Sequence, residues 1–217
     1  MTESGRVIGV DESGKGDFFG PLVIAGCLVT DETRARLNDL GVRDGKLIAN
    51  LKLRTMAGQI AATFPHVVIE LAPEEYNRRY TLIGNLNKML AAGHADCIEQ
   101  LLANHSAERA ISDKFGKPEL IADELHRRGI DIRLEQIVRG EQFISVAAAS
   151  ILARAAFLEA IDRLSEKWGI EVPRGAAPQV DAAGRRLVAR HGRETLTKVA
   201  KIHFKNFKRV VGRAKST

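Results

Sequence analysis

The spacing of hydrophobic and polar positions changes period several times along the 217-residue chain. Arg6–Val10 is a short apolar run and reads as a buried strand. Pro21–Thr30 (PLVIAGCLVT) predicts a second strand, with the glycine-rich stretch Ser13–Gly20 between them. Leu51–Thr63 carries apolar residues at helical spacing, and Val67–Leu71 predicts a third strand. Asn85–Leu102 predicts an amphipathic helix, with Leu86, Leu90, Ala91, His94, Cys97, Ile98, Leu101 and Leu102 on one side. Arg109–Ser112 predicts a short strand ending at Asp113, Pro118–Arg128 a helix, and Asp131–Val138 a fifth strand. Ile144–Trp168 predicts a long helix whose opening run, Ala147-Ala148-Ala149-Ser150, is small enough for another backbone to pack closely. Helical signals return at Asp181–Arg190 and Glu194–Val199, after a loop at Gly175-Ala176-Ala177-Pro178. No repeat, low-complexity tract or linker divides the chain. This order predicts an α/β fold with a mixed five-stranded sheet flanked by helices. One domain is expected over 1–217, with about 1–170 as core and 171–217 as a helical, basic C-terminal extension.

Composition narrows the class. With 45% hydrophobic and 28% charged residues, the chain can bury a sizeable core, and general disorder is excluded. Cys27 and Cys97 sit in apolar segments without C-x-x-C spacing, which predicts reduced core thiols. The opening MTESGRVIGVDE lacks a basic segment followed by an apolar one, so no signal peptide is expected. No apolar run approaches the roughly 18 residues of a membrane span, so a cytoplasmic protein without a membrane partner is expected. Net charge is +6, unevenly spread: residues 184–217 hold eleven Lys or Arg against one acid, Glu194. That segment is +10 and the remainder −4. The asymmetry suggests a polyanion partner, although a solvated basic face would show the same charge.

Asp11 and Glu12 directly follow the first apolar strand. Neighbours on an extended chain point to opposite faces, so both can converge on one site only where the strand ends and the backbone turns. The glycines that follow can supply that turn. Two adjacent acids repel, and a divalent cation would relieve them; a solvated acidic turn is the plainer alternative. Gly9-Val10-Asp11-Glu12-Ser13-Gly14-Lys15-Gly16 also comes within one residue of a phosphate-binding P-loop. Gly16 stands where that loop needs a hydroxyl, and its two internal acids would repel the phosphates, which argues against a nucleotidase.

The stretch VIGVDESGKGDFFGPLVIAGCLV resembles the opening motif of the type 2 ribonucleases H, and within them the HIII branch. Further similar segments follow in order: Arg43-Asp44-Gly45-Lys46; Tyr76-Asn77; Gly84 to Ala91; Ile111-Ser112-Asp113-Lys114-Phe115; Glu141 with Val146 to Arg154; Gly175 to Asp181; and Val199 to Phe204. The resemblance covers roughly residues 5–207. It implies a ribonuclease H-like fold and hydrolysis of the RNA strand of RNA–DNA hybrids, leaving 5′-phosphate and 3′-hydroxyl ends. It implies Asp11, Glu12, Asp113 and Glu141 as catalytic and metal-binding carboxylates for Mg²⁺ or Mn²⁺. The chemistry would be two-metal catalysis with ions about 3.5–4 Å apart, and all-oxygen ligands suit hard cations. Gly14, Lys15 and Gly16 correspond to a substrate-reading tripeptide whose glycines let the backbone approach the 2′-hydroxyls. Lys46 would bind phosphate next to the cut. Asn85 and Asn87 are candidates for nucleic-acid backbone contacts, or for capping a helix N-terminus. The six histidines lack metal-ligand spacing and read as core or surface residues.

Within the type 2 enzymes, Lys15, Glu141 and the absence of any tyrosine beyond Tyr76 and Tyr80 resemble the HIII pattern rather than HII. The HII alternative would cut at single embedded ribonucleotides; an inactive hybrid-binding protein is a further alternative. The pattern departs from the branch in three places. The N-terminal hybrid-binding domain usual in HIII is expected to be absent, which makes the basic C-terminal segment the candidate source of affinity. Gly45 stands for the family's serine. Glu141 lies one residue closer to the Ala-Ala-Ser run than the pattern suggests, and Glu135 is an alternative fourth ligand. A monomer is expected.

Overall fold

The computed structural model describes residues 3–42 and 49–212. The predicted sheet forms, with its strands in the order β3-β2-β1-β4-β5. β1 (Val7–Ser13) pairs antiparallel with β2 (Leu22–Val29) and parallel with β4 (Arg109–Asp113). β4 pairs parallel with β5 (Arg133–Ile137), and β3 (His66–Leu71) closes the far edge. The mixed sheet is therefore a hairpin edge joined to a parallel half. β2 is buried throughout, and β1 and β4 are buried over Val7–Val10 and Ala110–Ser112, as apolar runs require of strands covered on both faces.

Helices α1 (Asp31–Asp39) and α2 (Asn50–Thr63) follow β2, α3 (Pro73–Ile83) and α4 (Leu86–Leu102) follow β3, and α5 (Glu119–Arg127) links β4 to β5. α6 (Ile144–Trp168), α7 (Pro178–His191), α8 (Leu196–Val199) and α9 (Lys205–Val211) complete the order. α1, α3 and α9 have no counterpart among the elements that periodicity predicts. Each is short and polar on much of its surface, so the periodic signal is weak there. α6 is long and apolar enough to cross a membrane by length and composition alone, and most of it is buried inside the protein.

The chain divides into two compact units. The first comprises 1–13, 23–69 and 85–156, and the second 14–22, 70–84 and 157–217. In the first unit two close approaches set the layers on the sheet. A Cβ on Gly9 of β1 would lie 2.1 Å from the Ser145 carbonyl carbon, so the start of α6 rests directly on that strand. A Cβ on Gly93 of α4 would lie 2.0 Å from Ile24 Cδ1 of β2. Gly9 and Ile24 point to opposite faces, because Ile24 is paired with Glu12, three residues along from Gly9. α4 and the start of α6 therefore cover opposite faces of the sheet. The Glu3 carboxylate accepts from the Ile144 N–H at 2.8 Å, satisfying one of the orphan donors at the α6 N-terminus.

In the second unit, residues 17–20 lie along the segment 199–201. Lys201 N–H donates to the Phe18 carbonyl at 2.8 Å, Gly20 N–H to Val199 at 2.9 Å, and Phe18 N–H to Gly175 at 2.9 Å. α7 packs on α9, where Val210 fills the space that a side chain on Gly184 would need. The Asp181 carboxylate accepts from both Asn206 and Arg209.

Candidate active site

β1 does not end at Val10; it runs to Ser13. Asp11 and Glu12 are thus both inside the strand, and their side chains leave opposite faces. Asp11 points toward α6, where it bonds the Ser150 hydroxyl. Burial, and next the neighbouring Glu12 carboxylate, push Asp11 up to about 6, against hydrogen bonds from Ser150 and from the Glu12 N–H. The last bonded pair of the parallel register is Val10 with Ser112, so Asp11 and Asp113 lie side by side one position further on, on the same face. Asp113 Oδ1 accepts from the Gly140 N–H at 2.8 Å, which brings the next residue, Glu141, to the same end of the sheet. Glu141 sits in a 3-10 turn, Gly140–Gln142. Arg139, just before it, has φ of 59° and is the only non-glycine with positive φ among the described residues. Backbone strain of that kind persists where the surroundings enforce it, and here it aims the Glu141 turn.

Glu12 turns to the α4 face. Its Oε2 is 3.1 Å from His94 Nε2, and both side chains are fully buried. The other ring nitrogen, Nδ1, is 3.0 Å from the Ser112 hydroxyl, which donates to the Asp113 carbonyl at 3.0 Å. Ser112 has one proton; with it given to Asp113, Nδ1–H must be the donor to the hydroxyl. The other ring nitrogen, Nε2, is left to make the contact with Glu12 Oε2. Phe115 packs edge-on against the ring, with centroids 4.9 Å apart. From sequence, His94 reads only as a core residue, because it lies in the apolar stripe of α4. The one signal there is a polar ring in that stripe, and its acidic partner lies 82 residues away.

Glu135 is not free to replace Glu141: Arg109 and Arg133 each lie 3.2 Å from its Oε1. Asn85 is the N-cap of α4, with its side-chain oxygen accepting from the Lys88 N–H at 3.1 Å, so the capping alternative describes it. Asn87 packs against Gly116. Lys46, with Arg43, Asp44 and Gly45, lies outside the described residues.

In the second unit, Gly14-Lys15-Gly16-Asp17 form a turn closed by the Asp17 N–H on the Gly14 carbonyl at 3.2 Å. Gly14 is required by the fold: its φ is 87°, and a Cβ would lie 2.4 Å from the Pro21 carbonyl oxygen. Gly16 is not, since its φ is ordinary and a Cβ there would meet nothing within 4 Å. Lys15 and Gly16 are exposed at the tip. The basic C-terminal segment is less uniformly accessible than its charge suggests. Lys201 is wholly buried and Arg209 pairs with Asp181, whereas Arg185, Arg186, Lys198, Lys205 and Lys208 are exposed. Burial pulls the Lys201 ammonium down to about 7, opposed by the Asp17 charge.

The ribonuclease HII family model matches residues 8–207. The chain belongs to the ribonuclease HII family. Among relatives of this family, it is 43% identical to ribonuclease HIII of Chlamydia caviae, covering 94% of this chain and 69% of that protein. It is 38% identical to ribonuclease HIII of Protochlamydia amoebophila, with 95% and 68% covered. Its fold superposes on Bst-RNase HIII, solved in complex with Mn²⁺, with a TM-score of 0.91 and 35% identity, covering 99% of this chain and 71% of that one. Ribonuclease HII from Archaeoglobus fulgidus, solved in a complex with PCNA, gives a TM-score of 0.80 at 26% identity, covering 96% of this chain and 98% of that one. The chain is a ribonuclease H-type endonuclease with the ribonuclease H-like fold, and its family acts on RNA–DNA hybrids.

Proposed function

We propose that this enzyme cleaves the RNA strand of RNA–DNA hybrids within ribonucleotide stretches, in the manner of ribonuclease HIII, using Asp11, Asp113 and Glu141 together with Glu12, which lies on the other face of β1 against His94 and acts on Asp11 through its charge and its backbone N–H. The observation that carries the reading is the parallel register that sets Asp11 beside Asp113, with Asp113 tied to the turn that carries Glu141. An all-carboxylate set fits hard divalent cations, Mg²⁺ or Mn²⁺. Among the described residues no three His, Cys, Asp or Glu side chains close into a ready-made metal cage. A magnesium site needs none, because one or two carboxylates are normally completed by water and substrate phosphate oxygens. When bound, the metal activates water and stabilises the leaving 3′-oxygen.

The protein's own groups do the rest. Ser150 and the Glu12 N–H orient Asp11, the Gly140 N–H orients Asp113, and His94 fixes the Glu12 carboxylate. Gly16 supports a backbone contact with the hybrid: nothing in the chain itself requires glycine there, so the open space beside it suits an approaching ribose. Lys15, exposed at the turn, supplies a phosphate contact, and Lys46 is proposed for the phosphate next to the cut. Lys15, Glu141 and the placement of both tyrosines support the HIII pattern. Tyr76 is buried, and Tyr80 is stacked on His203 at 4.1 Å. On this reading the enzyme acts as a monomer in the cytoplasm without a membrane partner, and the two buried free thiols suit that reducing compartment.

A labelled RNA–DNA hybrid and a duplex carrying one ribonucleotide, each digested with Mg²⁺ and with Mn²⁺, test the proposal. Cleavage of the hybrid and poor cleavage of the second duplex are expected. Efficient cutting at the lone ribonucleotide would favour the HII mode instead. Asp11→Asn should abolish cleavage while hybrid binding persists; cleavage by that variant would refute the assignment.

A further inference from the structure

Lysine is almost never fully buried without a partner, because its ammonium group is strongly hydrated. Lys201 has no exposed surface, and its ammonium is held by main-chain carbonyls rather than by a carboxylate. Its Nζ donates to the Asp17 carbonyl at 2.9 Å and the Gly20 carbonyl at 2.7 Å, with the Phe19 carbonyl at 3.5 Å. An ammonium group carries three donors and no acceptor, so a cradle of three carbonyls matches it donor for donor. These carbonyls belong to the loop that follows the Gly14–Asp17 turn, 181 to 184 residues earlier in the chain. The opposite side of the same loop is held by main-chain bonds from Lys201 to Phe18 and from Gly20 to Val199. The Asp17 carboxylate adds a further tie, accepting from the Gly175 N–H at 2.6 Å. The buried Tyr76 ring lies 5.5 Å from Nζ. A methionine would fill the same space without bonding the carbonyls, so the packing alone does not call for lysine.

We propose that Lys201 is the positioning residue of the substrate-reading turn: its side chain clamps the carbonyls of residues 17–20 and thereby holds Lys15 and Gly16 in the shape that meets the hybrid. The inference rests on the reading of that turn as a substrate contact. Lys201 touches no substrate on this account and acts through the loop alone.

The test uses the full chain with Lys201→Met, Lys15→Ala and the double variant. Amide hydrogen exchange at Phe18 and Gly20 is measured together with KM and kcat on an RNA–DNA hybrid in Mg²⁺. Lys201→Met should speed exchange at both amides at least tenfold and raise KM at least fivefold, with kcat lowered less than threefold. Lys15→Ala should raise KM without altering exchange, and the double variant's KM should fall short of the product of the two single effects. Should Lys201→Met fail to fold, Lys201→Gln keeps a polar side chain with two N–H donors, although one bond shorter, and should show the same direction of change in exchange and KM. Three results overturn the proposal. One is exchange and KM both within twofold of the parent. Another is a loss confined to kcat. The third is failure of both Lys201 variants to fold, which would make Lys201 a residue of general stability. Faster exchange with KM unchanged in both single variants would leave the clamp standing but remove the turn's part in binding, and the functional half of the proposal with it.

Discussion

Replacing Gly9 with alanine adds one methyl group at the point where β1 meets the start of α6. That carbon would lie 2.1 Å from the Ser145 carbonyl carbon, 2.3 Å from the Val146 nitrogen and 2.4 Å from the Ser145 oxygen. An ordinary contact needs roughly 3.4 Å or more, so the helix start must withdraw by about 1.3 Å. The obstructing atoms are backbone and cannot rotate away. The cost belongs at the upper end for overpacking, about 3 kcal/mol. For a chain of this size that is a fall in Tm of about 6–12 °C. Gly58→Ala is the control. It lies on the exposed side of α2, a Cβ there would meet nothing within 4 Å, and alanine should stabilise the helix by about 0.5–1 kcal/mol. The assay is thermal unfolding followed by circular dichroism, with cleavage measured well below the lower Tm. Gly9→Ala should also be slower there, because the same withdrawal moves Ser150 away from Asp11. A Gly9→Ala protein melting within about 2 °C of the parent would refute the close packing of α6 on β1. So would a Gly58→Ala protein destabilised as much as Gly9→Ala.

His94→Leu leaves the buried Glu12 carboxylate without its ring partner and should cost on the order of 3 kcal/mol in urea unfolding; a decrease below about 1 kcal/mol would show that the pair has little weight. Arg209, and to a smaller extent Asn206, hold Asp181 below the usual carboxylate range. A lowered folded-state value contributes stability that is complete above about pH 4 and is lost as pH falls through the folded value. Stability measured across pH 2–6 should therefore show the parent and Asp181→Asn converging below about pH 4; a constant gap would contradict this. Lys205→Gln with Lys208→Gln should flatten the salt dependence of hybrid binding, by up to about 0.9 in the log–log slope for each phosphate that is no longer neutralised. An unchanged slope would make these exposed lysines bystanders. These substitutions are preferable to deleting 208–217, which would also remove Val210 from its packing between α7 and α9 and Arg209 from Asp181.

How much of the fold and the site can be read from the chain depends on the range of the forces concerned. The five strands, α2, α4, α5 and α6 are legible because each buries one stripe or a continuous apolar run, and such patterns repeat every two or 3.6 residues. Asp113 at the end of β4 is legible for the same reason. The motif order marks the ribonuclease H family, and it singles out Asp11, Glu12, Asp113 and Glu141 as the candidate acids. What the pattern does not show is direction and partnership across the fold. That Glu12 faces His94 follows from β1 running on to Ser13, so the alternation of the strand separates it from Asp11. That Lys201 is buried while Lys205 and Lys208 are exposed follows from carbonyls contributed by the other end of the chain. By itself the sequence determined the family and most of the elements and named the candidate acids, because these rest on local periodicity and motif order. Only the tertiary structure decided which face each acid occupies and which of the basic residues are taken up by internal bonds, because those depend on partners that folding brings together from distant parts of the chain.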